Sequence, residues 1–159
     1  MGTPLHALLL AASSLQDAQA QKPEGTAGQT VVTARKVEER LFDLPGSATV
    51  VDGRTLDEAH LETIRDAGAR VPNLYLSEFS SRRLSFPFVR GIGSGSNDPA
   101  VITYLDDVPQ FGFGGTNLPL FEVQQVEFLR GPQGTLYGKN ALGGLIQVRS
   151  HRPDRKSVV

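Results

Sequence analysis

The sequence predicts an α+β fold, a small mixed β-sheet with two short helices and long glycine-rich loops. Three observations carry this. Short runs of alternating apolar and polar residues, rich in β-branched types, recur at 48–51, 101–105 and around Val126 and Phe128. Two brief segments near Thr55 and Thr63 show helical spacing, the first opening on a capping box. Eleven of the 17 glycines fall between Gly91 and Gly144, which makes that half rich in tight turns.

A chain of 159 residues is one domain's worth. Hydrophobic content of 39%, charged content of 21% and a net charge of −1 are ordinary for a globular fold and give no general pull toward nucleic acid. The absence of cysteine excludes disulfides and thiolate metal sites.

Residues 5–15 are mostly apolar but too few to span a bilayer. With Ala18-Gln19-Ala20 they predict a secretory leader over 1–20, although no lysine or arginine precedes the apolar run. A short buried helix is the alternative. Residues 21–44 read as a flexible polar segment containing QTVVTA at 29–34, whose valines and threonines favour an extended chain. That stretch has no expected strand partner nearby, so it is free to join a foreign sheet edge. The alternative is a first strand of the domain itself. A single domain is expected over 45–153, with a tail at 154–159.

Ala48 opens a strand. Thr55 heads a helix with Glu58 three residues on, and Leu56 and Ala59 face inward. A second helix starts near Thr63 with Ile64 and Ala67 inward, weakened by Gly68. A strand follows at 73–77, then a polar loop at 80–85 holding Arg82 and Arg83, then a strand at 86–90. GIGSGSND at 91–98 is a loop, and Asp106-Asp107 turns a hairpin between Val101 and Val108. QFGFGGTN at 110–117 is a loop displaying phenylalanines. The strand around Val126 stops at Gly131-Pro132, a compact glycine loop follows, and Leu145, Ile146 and Val148 begin the last strand.

No catalytic or metal constellation is visible. His6, His60 and His151 lie far apart in sequence, and Asp106-Asp107 suits a turn better than paired acids. A phosphate loop would need glycine at Gln133 and serine or threonine at Asn140. No cofactor is expected. Arg90 and Arg130 stand out because each ends a strand beside a glycine, well placed for a bidentate carboxylate contact. A plain surface arginine is the alternative.

The run VEFLRGPQGTLYGKNALGGLIQVRS, with VITYLDDVP and VRGIG before it, resembles the plug domain of a TonB-dependent outer-membrane receptor. The resemblance covers residues 30–153. It implies a gating domain that fills a β-barrel in the Gram-negative outer membrane and helps import a scarce nutrient, with a ferric siderophore as the expected cargo. It implies that Gln29, Thr30, Val31, Val32, Thr33 and Ala34 form a TonB box that adds a strand to TonB in the periplasm. Arg90 and Arg130 become a latch to glutamates of the barrel wall. Arg82, Arg83, Ser94, Ser96, Gln110, Phe111 and Phe113 become apical ligand contacts for an iron chelate or other small ligand. No enzyme, metal site or nucleic-acid partner is implied. A barrel of 22 strands takes on the order of 220 residues, so the resemblance predicts a receptor fragment whose barrel lies outside this chain. The rival expectation is a stand-alone periplasmic binding or signalling module that reuses the fold.

Overall fold

The computed structural model describes residues 30–34, 39–41, 46–93, 99–112 and 114–152, with only the backbone for Glu39, Arg82 and Arg83. In chain order the elements are β1 (Val31–Val32), β2 (Glu39–Arg40), β3 (Ser47–Asp52), α1 (Gly53–Glu58), α2 (Ile64–Gly68), β4 (Leu74–Phe79), β5 (Ser81–Val89) and β6 (Ile92–Gly93). Next come β7 (Val101–Leu105), β8 (Val108–Gln110), β9 (Val123–Arg130), α3 (Gly134–Tyr137), a 3-10 turn at Lys139–Ala141, and β10 (Gly144–Ser150).

Strand β9 is central. It pairs antiparallel with β3 on one side and β10 on the other, and β10 runs parallel to β7, giving a five-stranded mixed sheet ordered β3-β9-β10-β7-β8. Successive side chains of a strand point to opposite faces, and both faces of this sheet are covered. On one face Val51, Val126, Phe128, Ile146 and Val148 pack with Leu56 of α1, Ile64 and Ala67 of α2, and Leu76 and Val89 of the β4–β5–β6 sheet. On the other, Ile102, Leu129 and Leu145 pack with Val32, Ala34, Tyr137 and Ala141. The second cover comes from residues 32 and 34 and from the glycine-rich turn after β9.

The α+β class holds, with more parts than the expected single sheet and two helices. Among the described residues there are three sheets and three short α-helices. The hairpin turning at Asp106-Asp107 forms as expected, with both aspartates at positive φ. The second helix starts at Thr63 as expected, and there the Thr63 hydroxyl and the Asp66 carboxylate complete a reciprocal capping box that the sequence reading did not include.

Four expectations fail for physical reasons. Helix α1 starts earlier because Asp52, ending β3, accepts from the Thr55 amide at 2.8 Å and so becomes the N-cap; Glu58 instead pairs with Arg54 at 2.7 Å. The polar stretch at 80–85 is no loop. It turns at Ser80 (φ 65°) and continues as β5, because pairing with β4 satisfies the backbone whatever the side chains. The glycine loop after β9 contains α3, whose Tyr137 is buried. Finally, β1 does have a neighbour: Val31 and Val32 pair with Arg40 and Glu39, inside the segment expected to be irregular.

Candidate functional site

The strand-ending arginines meet at one corner of the sheet. Arg130 closes β9 opposite Gly144, and Arg90 follows β5 with φ 51° and its amide on the Asn73 carbonyl at 2.9 Å. The corner is tight. A Cβ on Gly144 would lie 2.5 Å from the Leu129 carbonyl oxygen, so only glycine lets the strands close here. Gly131, at φ 116°, turns the chain out of the strand, and its would-be Cβ lies 3.9 Å from the Arg90 guanidinium.

Among the described residues Arg130 reaches neutral acceptors only. It donates to the Pro72 carbonyl and to the Thr49 hydroxyl, both at 3.0 Å, and more weakly to the Ala48 carbonyl at 3.4 Å. Its Nε is buried without a partner among the described residues. Burial first, and the Arg90 charge second, pull the Arg130 pKa below its ordinary value. Among the described residues no carboxylate pairs with either arginine. Both line an open cleft of ≈ 670 Å³ with Gly46, Ser47, Gly131, Pro132 and Gln133. Two cations beside one concave surface attract negative charge, and a guanidinium matches a carboxylate fork best.

The second notable cluster binds residues 31–34. Glu127, fully buried on β9, accepts from the Thr33 amide at 3.0 Å, the Thr33 hydroxyl at 2.7 Å and the Ala34 amide at 2.7 Å. Gln125 donates to Glu127 at 2.6 Å and to the Val31 carbonyl at 3.1 Å. Arg149 donates to the Thr33 hydroxyl at 2.9 Å while its guanidinium grips Asp107 at 2.8 and 3.1 Å. The Tyr137 hydroxyl donates to the Ala34 carbonyl. Burial, then the Asp107 charge, pushes the Tyr137 pKa up to about 12, and burial raises Tyr104, whose ring meets Tyr137 edge-on at 4.9 Å.

The ligand candidates fare unevenly. Phe111 is 69% exposed after β8. Gln110 turns its amide back to the Val108 carbonyl of its own strand at 3.1 Å. Arg82 and Arg83 lie on β5, beside the Ser80 turn. Gln29, Ser94, Ser96 and Phe113 lie outside the described residues, as do the leader at 1–20 and the tail at 154–159. Sequence reasoning missed Glu127, Gln125, Tyr137 and Arg149. The signal was present in QVEFLR and LIQVR, where polar residues alternate along both strands and share one face.

A family profile described as TonB-dependent Receptor Plug Domain matches residues 40–145. The chain belongs to this plug-domain family. The pesticin receptor of Yersinia pestis is 40% identical over 141 residues, which is 86% of this plug chain and 21% of the receptor. The vitamin B12 transporter BtuB of Vibrio vulnificus is 31% identical over 123 residues, 74% of this chain and 20% of the transporter. The plug chain therefore spans about a fifth of the curated relatives it matches. The crystal structure of the ferric yersiniabactin uptake receptor FyuA from Yersinia pestis superposes with TM-score 0.62 at 39% identity, covering 69% of this chain and 17% of that one. The ferripyoverdine receptor of Pseudomonas aeruginosa, with TM-score 0.66 at 23% identity, covers 79% and 17% and shares the fold.

Proposed function

We propose that this plug gates an outer-membrane importer, seated inside that receptor's barrel with its N-terminus toward the periplasm. The arginine corner carries the reading. Arg90 and Arg130 sit side by side in an open cleft, and no described carboxylate answers them. A barrel-wall glutamate or pair of glutamates would supply the missing charge. Such a contact fixes geometry more than it stabilises, because desolvation opposes the attraction. A latch that holds position and can still let go suits a gate.

The cargo proposed is a ferric siderophore. Relatives near 40% identity include a pesticin receptor and a ferric yersiniabactin uptake receptor. Exposed Phe111 beside β8, with the neighbouring loops, would form part of the outer ligand face. Ligand binding there shifts the population toward plugs whose residues 29–34 are free, and TonB then pairs with them by strand addition. No covalent step is involved.

The test uses cells producing the receptor that carries this plug, with binding and uptake of a labelled ferric siderophore measured separately. A Val31→Pro substitution removes a backbone donor from the pairing segment. Cells with this variant should bind the chelate at the wild-type level and fail to accumulate it. Equal accumulation by the two, or no specific binding by either, overturns the proposal.

A further inference from the structure

The outer face of the β4–β5 hairpin carries aromatic side chains that the core does not use. Leu74, Leu76 and Val89 turn inward and join the core. The residues between them point the other way. There Tyr75 on β4 stands opposite Phe88 on β5, and Tyr75 and Phe79 are 66% and 68% exposed. Large aromatics gathered on one short strand differ from singly scattered exposed residues and mark a place where something binds.

This face ends in a recess. Asn73, Tyr75, Ser77, Phe88, Arg90 and Gly91 line an open cleft of ≈ 570 Å³, within the size range of small-molecule sites. Strand β6 sets the Phe88 wall. A Cβ on Gly93 would collide with the Phe88 ring, so glycine there lets the ring lie across the strand. The floor is held where the Arg90 amide donates to the Asn73 carbonyl at 2.9 Å, with Arg90 at φ 51° and Asn73 at φ 60°. Non-glycine residues in that region cost energy and persist where their surroundings fix them. The recess therefore exists before any occupant arrives.

Charge selects the occupant. Tyr75 and Phe88 offer ring faces for stacking. The Arg90 guanidinium is paired with no carboxylate among the described residues. A neutral ring would leave that cation unanswered, and a bare anion would leave the rings in water. An aryl ring bearing a carboxylate meets both. The recess lies at the end of β4 away from the Ser80 turn, so the six-residue strand sets it roughly 15–20 Å from the hairpin tip.

We propose that this recess is a binding site for an aryl carboxylate, its ring against Tyr75 and Phe88 and its acid on Arg90. Arg90 also lines the cleft it shares with Arg130. One guanidinium thus serves two clefts, and an occupant here draws it away from the arginine corner. That consequence for the latch rests on the gating reading, while the site itself does not.

The test follows amide and side-chain NMR shifts of the full 159-residue chain during titration with benzoate. Acetate and benzyl alcohol are the charge-only and ring-only controls. Benzoate should shift Tyr75, Phe88 and Arg90 saturably and bind about tenfold tighter than either control. Arg90→Gln should bring benzoate down to the level of benzyl alcohol. Tyr75→Ser, at an exposed position where folding is least at risk, should weaken benzoate and benzyl alcohol alike by about threefold. Arg54→Gln, on α1 with a side chain 85% exposed, should change nothing. Equal affinity for benzoate and benzyl alcohol means an apolar surface only. Equal affinity for benzoate and acetate means an adventitious ion only. Shifts at Tyr75 and Phe88 that grow with protein concentration alone mean a second copy seated there. Each of these overturns the site, as does unchanged benzoate affinity in Arg90→Gln. No barrel is added in this assay, so a failure of the gating reading leaves its result untouched.

Discussion

Replacing Gly144 with alanine tests whether the arginine corner depends on close strand approach. The added Cβ would sit 2.5 Å from the Leu129 carbonyl oxygen and 3.5 Å from a Val89 methyl. Ordinary contact needs about 3.5 Å, so the backbones must part by about 1 Å. The obstructing atom is backbone, and no rotamer change relieves it. β10 is held on both sides, by β9 and β7, so it has little room to move. Overpacking of this kind costs about 1–3 kcal/mol. Gly134, at the start of α3, provides the control. Nothing lies within 4 Å of its would-be Cβ, and alanine there should stabilise by about 0.4–1 kcal/mol through helix propensity and a less flexible unfolded chain. Urea unfolding followed by circular dichroism reads both. The expected result is opposite signs from one chemical change at two glycines. A Gly144→Ala variant within about 0.5 kcal/mol of wild type would refute the close-packed corner.

Asp52→Ala should cost about 1 kcal/mol at neutral pH by uncapping α1. The Thr55 hydroxyl, then its amide, hold the Asp52 carboxyl below its ordinary 3.8, so the cap's stabilisation is present above 3.8 and fades as pH falls through the lowered value. Thermal melts of the two proteins should therefore converge in acid, and a constant gap down to low pH would count against the cap. Tyr137→Phe should cost about 1 kcal/mol for its hydroxyl bond. With the tyrosine raised from 10 to about 12, that difference should persist to pH 10 and vanish toward pH 12. A difference lost well below pH 10 would contradict the buried hydroxyl.

What was legible in the sequence was local. The alternation around Val126 and Phe128, the Asp106-Asp107 turn and the helix starting near Thr63 each depend on residues within a few positions, and all three form. The errors came where distant partners decide. The polar residues after Ser80 look like a loop until β4 supplies a ladder. Asp52 caps α1 because β3 ends there, and the end of β3 is set by pairing with Gln125. Gly134 and Gly138 bracket a helical turn whose reason to exist is the burial of Tyr137 against Ala34, 103 residues away. Glu127 drew no reading from the sequence, and its burial comes with contacts to Thr33 and Ala34, more than 90 residues away. The arginine corner lies between these cases. RG and RGP marked both residues, but their proximity follows from the ends of β5 and β9 meeting the turn before β4 at Asn73 and Pro72.

The most direct measurement is the distance from the Arg90 and Arg130 guanidinium groups to the nearest carboxylate in an experimental structure of the receptor that carries this plug. The account predicts a carboxylate from outside residues 1–159 within ion-pairing reach, about 4 Å, of at least one of them. Finding Arg130 still on Pro72 and Thr49, with no acid near either arginine or with an acid supplied from within residues 1–159, would contradict it.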